Sequence, residues 1–125
     1  MRGKLSCPDS CGLELSQDLK KLLAEIEKQV GFELFLNSGP RCPKYNALVT
    51  QNVNSAHTLG LAADVAVANS HQRYLLIKAI YGLGVKRVGR SDKHMFIHLD
   101  IASGPLPHPT DTLKEYPQFV DWKYD

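Results

Sequence analysis

Three residues of the sequence have side chains that bind metal ions well: His57, Asp64 and His98. Two neutral imidazoles and one carboxylate are a common ligand set for catalytic zinc, and they leave a fourth position for water. Zinc lowers the pKa of this water to about 7, so that it becomes a nucleophile near neutral pH. The spacing alone is a weak indication, because a chain with five histidines offers several such triples. The surrounding residues strengthen the hypothesis.

The elements that would position these residues follow from the apolar pattern. Apolar side chains at spacings of three and four predict an amphipathic helix that Ser16 caps and Gly31 ends. The stripe comprises Leu19, Leu22, Leu23, Ile26 and Val30. Further along, the pattern predicts a strand over residues 32–37, a helix over residues 44–52 behind Pro43, a strand over residues 62–67 and a helix that Ser70 caps.

A strand over residues 95–101 is predicted to carry the last candidate ligand. Phe96, His98 and Asp100 share one face of this strand, because side chains alternate along an extended chain. The opposite face is apolar throughout, and it comprises Met95, Ile97, Leu99 and Ile101. This alternation is typical of a strand that forms the floor of a polar site. The tail from residue 102 is predicted to be a loop that ends in a short packed strand.

Composition limits the classes of protein to which the chain can belong. Its 125 residues fit one α+β domain, residues 1–125, since domains typically contain about 100–150 residues. The 15 basic and 13 acidic residues are interspersed, so we expect no nucleic-acid partner. No apolar run approaches the roughly 20 residues of a membrane span, so we expect no membrane-spanning segment. We also expect a monomer. The first residues lack the apolar segment of an export signal, and the sequence leaves the location open.

Three cysteines, Cys7, Cys11 and Cys42, cannot all be paired within one chain. Free thiols are the first interpretation. A disulfide from Cys7 to Cys11 or from Cys7 to Cys42 is the second. The third is a structural zinc site, for which three thiolates would need a fourth ligand that the sequence does not obviously offer.

The residues around the candidate ligands resemble the paired motifs of the M15 zinc peptidases, and within them those of subfamily A, the group of D-Ala-D-Ala carboxypeptidases and phage endolysins. That family carries S-x-H-x-x-G-x-A-x-D, followed by a strand with the last histidine ligand. The segment from Ser38 to Asn46 is also similar to the family's S-G-Y-R-[ST/C]-P-x-x-N, with Pro40 in place of the aromatic residue. The first motif is matched by Ser55, His57, Gly60, Ala62 and Asp64.

The resemblance implies one Zn²⁺ per chain, held by His57, Asp64 and His98. It also implies a hedgehog/DD-peptidase-like α+β fold, in which a small antiparallel sheet has helices on one face and the zinc site on the other. The implied substrate is an amide bond of a peptidoglycan stem peptide or precursor, cut by a carboxypeptidase or by an endopeptidase such as an endolysin. Arg41 would clamp a substrate carboxylate or stabilise the oxyanion. Ser55 would bind substrate or cap local backbone donors.

The general base is where the sequence departs from the family. Several branches have a glutamate three residues before the last histidine ligand, and Met95 occupies that place here. Three candidates remain: His94, Asp92 and Asp100. His94 falls on the same alternate positions of the strand as His98, and a free imidazole has a pKa near 6.5. Asp92 lies on the preceding loop, and Asp100 could instead support a ligand. The departure also leaves an alternative function, a catalytically silent zinc-binding module of the same fold in cell-wall recognition or a phage tail.

Overall fold

The computed structural model describes residues 1–125 and contains six strands and three α-helices. None of the helices has the length and apolar character needed to cross a membrane. A short 3₁₀ turn, Ala56–Leu59, precedes the third strand. The elements are β1 (Arg2–Gly3), α1 (Gln17–Val30), β2 (Phe35–Ser38), α2 (Pro43–Val49), β3 (Ala62–Ala66), α3 (Ser70–Gly82), β4 (Arg87–Ser91), β5 (Phe96–Asp100) and β6 (Val120–Lys123).

The first helix, α1, confirms the prediction from the apolar spacing. The Ser16 hydroxyl accepts a hydrogen bond from the backbone N–H of Leu19 at 3.2 Å, which satisfies one of the free donors at the helix start. Gly31 ends the helix with φ at 78°, a left-handed conformation that glycine adopts without strain. The buried stripe of α1 comprises Leu19, Leu23, Ile26 and Val30.

The strands form one sheet in the order β1-β2-β3-β5-β4-β6. Its centre is antiparallel, because β3 and β4 both pair antiparallel with β5. The predicted antiparallel sheet is wrong at both edges, where β1 lies parallel to β2 and β6 lies parallel to β4. Parallel partners need a long crossover connection. The helix α1 supplies it at one edge, and β5 with the loop after it supplies it at the other.

The main core lies on one face of the sheet, under α1 and α3. Alternate residues of β3 and β5 point to the other face, and these include Asp64 and His98. The predicted arrangement, with an apolar face under helices and a polar face opposite, is therefore confirmed for these two strands. The sheet residues of the core are Leu36, Ala63, Val65, Val88, Ile97 and Leu99.

Several predicted boundaries shift by a few residues, and some elements were not predicted. The strand predicted over residues 32–37 is observed at 35–38, and the helix predicted to reach residue 52 ends at Val49. Asn69 rather than Ser70 caps α3, because its side chain accepts from the N–H of Gln72 at 2.9 Å. β4 was missed because its sequence mixes Arg87 and Arg90 with small residues, so that it lacks an apolar alternation.

The cysteines pair in a way that the sequence did not predict. The structure joins Cys11 to Cys42 in a disulfide and leaves Cys7 as a free thiol. Both predicted pairings of Cys7 are therefore wrong. The sequence does not show which two cysteines pair, because the pairing depends on the tertiary structure. In the fold all three sulfur atoms lie within 4.8 Å of one another.

Candidate metal centre

His57, Asp64 and His98 converge on the polar face of the sheet. Asp64 on β3 and His98 on β5 are direct cross-strand partners, so their side chains emerge side by side. Oδ1 of Asp64 lies 2.8 Å from Nδ1 of His98 and 3.3 Å from Nε2 of His57. All three residues are buried, and one donor atom from each lies within 4.8 Å of the other two. The structure thus brings together the three residues that the sequence proposed as ligands.

The 3₁₀ turn, Ala56–Leu59, delivers His57 to this cluster. The Ser55 hydroxyl accepts a hydrogen bond from the backbone N–H of His57 at 3.3 Å and so begins the turn. Gly60 ends it with φ at 70°. A Cβ at Gly60 would collide with the carbonyl oxygen of Glu14, so both the backbone conformation and the close approach require glycine here.

Each histidine has its second ring nitrogen bound to a protein acceptor. Nδ1 of His57 donates to the carbonyl oxygen of Gly39 at 2.6 Å, and Nε2 of His98 donates to Oδ2 of Asp100, also at 2.6 Å. In a neutral imidazole the other nitrogen then carries the lone pair. Nε2 of His57 and Nδ1 of His98 therefore present lone pairs toward the carboxylate of Asp64.

Three acceptor atoms that face one another in a buried place need positive charge between them, either a metal ion or, without one, hydrogen-bonding protons between the rings and the carboxylate. Burial raises the pKa of the Asp64 carboxyl, but hydrogen bonds from His57 and His98 outweigh burial and bring the pKa far below its usual value. Burial likewise lowers the pKa of His98, and its bonds to Asp100 and Asp64 outweigh this and raise the pKa. The cluster thus attracts positive charge, and its donor set of two imidazoles and one carboxylate fits Zn²⁺.

A layer of residues behind His98 holds its imidazole in place. Asp100 is fully buried, and its Oδ1 accepts from Nε of Arg87 at 2.6 Å and from the N–H of Ala102 at 3.1 Å. The Arg87 guanidinium lies between the rings of Tyr116 and Trp122, 5.1 and 5.5 Å from their centroids. Both oxygens of Asp100 are therefore occupied by protein groups, as in a carboxylate that orients a metal-binding histidine.

We expect Asp100→Asn to weaken metal binding by about 10-fold to 100-fold, as outer partners of metal ligands typically do. The amide loses the charge that favours the His98 tautomer with a free Nδ1, while its size preserves the packing. Competition with a fluorescent zinc chelator measures the affinity. Asp111→Asn is the matched control, since Asp111 is exposed and does not line the cleft. Equal zinc affinities of Asp100→Asn and wild type would contradict the supporting role.

A cleft of about 720 Å³ opens over the three clustered residues. One of its walls is aromatic and comes from β5 and the chain end. The indole of Trp122 lies 5.2 Å from the His98 imidazole, centroid to centroid. Gly89 is the strand partner of both residues, and a Cβ there would overlap the indole. The aromatic side chains of this wall are Phe96, Trp122 and Tyr124.

Tyr124 was predicted only as part of a packed terminal strand, and the structure places it in the cleft wall. Burial raises the pKa of its phenol to about 12, and the carboxylates of Asp64 and Asp100 act in the same direction. The side chain therefore keeps its O–H at neutral pH. Neither Tyr124 nor Trp122 could be assigned to the site from the sequence, because only the parallel pairing of β6 with β4 brings them there.

Arg41 reaches the cleft from the loop between β2 and α2. Its guanidinium donates to the hydroxyls of Ser38 at 3.3 Å and Ser55 at 3.1 Å, and its buried Nε has no partner. Burial lowers the pKa of Arg41, but a guanidinium stays charged near neutral pH. Ser55 lines the cleft, yet its hydroxyl serves both Arg41 and the N–H of His57. Ser55 thus caps the 3₁₀ turn, which is one of the two roles predicted for it from the sequence; the other is substrate binding.

His94 and Asp92 are not brought to the cleft. Residues 92–95 form a turn before β5, in which Met95 has φ at 53°. The strand alternation that placed His94 on the face of His98 therefore does not extend to it. Both residues are exposed and neither lines the cleft. The carboxylate of Asp92 lies within 3.2 to 3.6 Å of cationic groups of Arg73, Arg90 and Lys123.

Comparison with known proteins gives one match. A family model described as Peptidase M15 matches residues 5–100. No curated protein and no solved structure matches the chain closely enough to count as a relative. The matched region contains His57, Asp64 and His98, and Trp122 and Tyr124 lie beyond it. The family consists of zinc-dependent peptidases, whose ligand chemistry fits the donor set on this sheet. The chain belongs to the peptidase M15 family.

Proposed function

We propose that this protein is a zinc-dependent peptidase that hydrolyses an amide bond in peptidoglycan stem peptides or their precursors. One observation carries the proposal: three buried acceptor atoms, with the tautomers of both histidines set by protein partners, line an open cleft. A buried metal site with access to solvent is what hydrolysis requires, whereas a structural zinc is normally enclosed by four protein ligands. Membership of a peptidase family supports the same reaction class.

Different residues have different roles in the proposed reaction. Zinc, when bound, supplies an activated water and polarises the substrate carbonyl. His57, Asp64 and His98 hold the ion in place. The Arg41 guanidinium is positioned to stabilise negative charge on the substrate, because two serine hydroxyls fix its orientation. Trp122 and Tyr124 form the wall against which the peptide packs and which limits access of bulk water.

The charges in the cleft favour a substrate with a carboxylate close to the scissile bond. Two arginines line the cleft, and Arg87 is committed to Asp100 and to the carbonyl oxygen of Pro117. Arg41 is thus the cation that remains for substrate. If Arg41 binds a terminal carboxylate, the enzyme is a D-Ala-D-Ala carboxypeptidase; if it stabilises the oxyanion, an endopeptidase follows. Stem peptides fit because they carry several free carboxylates.

A second function is favoured because the cleft lacks a free carboxylate that could act as the general base. A general base must reach the attacking water by a hydrogen bond. Both oxygens of Asp100 are bound by protein groups, and the cleft residue Asp121 accepts a hydrogen bond from Tyr81 at 3.1 Å. Asp92 and His94 lie outside the cleft. This arrangement suits a zinc-binding module that binds cell-wall peptides, or serves in a phage tail, without cutting them.

Metal content and muropeptide digestion together separate the two functions. We expect about one zinc bound to the cluster in wild type, lost in His57→Ala and retained in His71→Ala, an exposed histidine on α3 that serves as the control. Mass spectrometry of digested muropeptides should show cleavage at one bond, which stops with a chelator and returns with zinc. Zinc with peptide affinity but no cleavage would support the recognition module. A protein that binds no zinc at this cluster would refute both functions.

A further inference from the structure

The N-terminal segment folds into a small hairpin that brings two cysteines together. The backbone N–H of Cys7 donates to the carbonyl oxygen of Leu13 at 2.9 Å, and Ser6 pairs with Glu14. Cys11 lies four positions after Cys7, inside the hairpin loop. Gly12 has φ at 82°, which lets the chain turn back directly after Cys11. A C-x₃-C pair in a tight turn is a common way to present two thiolates to one metal ion.

A third cysteine meets this hairpin from a distant part of the chain. Cys42 occupies the N-cap position of α2, and its backbone N–H donates to Sγ of Cys7 at 3.2 Å. The three sulfur atoms lie within 4.8 Å of one another. Cys42 is buried, Cys7 is half-buried and Cys11 is exposed. The three sulfurs thus form a compact group with one side open to solvent, and they share no residue with the cluster of His57, Asp64 and His98.

We propose that the reduced protein holds a second metal ion, a soft divalent cation such as Zn²⁺, on Cys7, Cys11 and Cys42. Thiolates select such ions, and a tetrahedral ion would complete its fourth position with water on the open side. The N–H of Cys42 that points at Sγ of Cys7 stabilises negative charge on that sulfur. The free thiol of Cys7 lies beside the disulfide at a half-buried position, where it does not contribute to the core. As the third ligand of a metal ion, this thiol would have a function.

The disulfide and the metal site are two states of the same three sulfurs. In the structure Cys11 and Cys42 share the disulfide. A dithiol or phosphine reductant supplies two electrons, and with two protons the S–S bond becomes two thiols. Metal binding then displaces one proton from each coordinating thiol. Reoxidation by a disulfide oxidant takes the two electrons back, re-forms the bond between Cys11 and Cys42, and releases the ion.

Either state would fasten the hairpin to the loop that carries Arg41. Cys42 follows Arg41 directly, and the N–H of Arg41 donates to the carbonyl oxygen of His57 at 3.0 Å. A cross-link between Cys11 and Cys42 closes a separation of 31 residues. The metal would therefore hold the Arg41 loop in place in a reducing compartment, as the disulfide does in an oxidising one.

Cobalt binding to the full chain tests the second site without knowledge of the substrate. The protein is freed of metal, reduced with a phosphine, and titrated with Co²⁺ in the absence of oxygen. We expect two ions per chain and a near-ultraviolet charge-transfer absorption that arises from cobalt-thiolate bonds. Cys7→Ser should lose this absorption and one ion, while Ser10→Ala, in the same hairpin, should keep both. His57→Ala should lose the other ion and keep the thiolate absorption.

The oxidised wild type provides a comparison that needs no variant. It should bind one ion and show no thiolate absorption, because two of the three sulfurs are in the disulfide. A reduced wild type that binds one ion without thiolate absorption would overturn the proposal, and so would a Cys7→Ser protein with unchanged stoichiometry. Far-ultraviolet circular dichroism checks that each variant is folded. If the cluster of His57, Asp64 and His98 binds no metal, the wild type would lack the ion that depends on His57 and keep the thiolate absorption. The two proposals are therefore tested separately.

Discussion

Asp64→Asn is expected to abolish hydrolysis and to weaken zinc binding by roughly 100-fold to 1000-fold. Zinc sites with four protein ligands bind with about 10–16 kcal/mol, which corresponds to roughly 2.5–4 kcal/mol per ligand. Oδ1 of Asp64 faces the lone pairs of both histidines. An amide either presents a neutral oxygen or turns its NH₂ toward those lone pairs, where it would hydrogen-bond to the histidines in place of the ion.

The measurement pairs zinc affinity, from competition with a chelator, with the rate of muropeptide cleavage. Asp111→Asn is the matched control, because Asp111 is exposed and has no part in the cluster. We expect Asp64→Asn to remain folded without metal, since the substitution removes the need for a buried compensating cation and keeps the side-chain size. Full zinc affinity in a folded Asp64→Asn protein would show that Asp64 is not a ligand.

Arg41→Lys is expected to lower kcat/KM by about 100-fold to 1000-fold, the usual effect of removing a donor that stabilises an oxyanion. Lysine keeps the positive charge but cannot donate from a planar fork to Ser38 and Ser55 together. Its ammonium would lose this fixed orientation. If Arg41 stabilises the oxyanion, the loss should fall on kcat and leave KM nearly unchanged, because an oxyanion forms only in the transition state.

Steady-state kinetics on a defined stem peptide separates kcat from KM. Arg2→Lys serves as the control, since the Arg2 side chain is 74% exposed and does not line the cleft. A raised KM with normal kcat would assign Arg41 to a substrate carboxylate and would favour carboxypeptidase action. Unchanged kinetics in a folded variant would remove Arg41 from the site.

The local parts of this protein could be predicted from its sequence. The helix α1 and its two caps follow from apolar spacing, a serine and a glycine, because these effects act within a few residues. The two faces of β5 follow from the two-residue alternation of an extended chain. The three candidate ligands could be named for the same reason: the types of His57, Asp64 and His98 and the small residues around them are themselves local features.

Only the tertiary structure decided which distant residues meet. The cross-strand pairing of Asp64 with His98, the place of Arg87 behind Asp100, and the aromatic wall on β6 depend on strand register between residues up to 34 positions apart, as from Asp64 to His98. No local pattern encodes such pairings. The turn before β5 excluded His94 and Asp92 from the cleft in the same way, since one left-handed residue ended the alternation on which His94 depended.

The sequence by itself determined the kind of chemistry that this chain can perform, through the types of its ligands and their local surroundings. The fold decided the geometry: which ring nitrogens face the carboxylate of Asp64, which carboxylate is bound by Arg87, and which cysteines pair. The physical reason is that side-chain chemistry is a property of each residue, whereas tautomers, burial and pKa shifts depend on neighbours that only the folded sheet supplies.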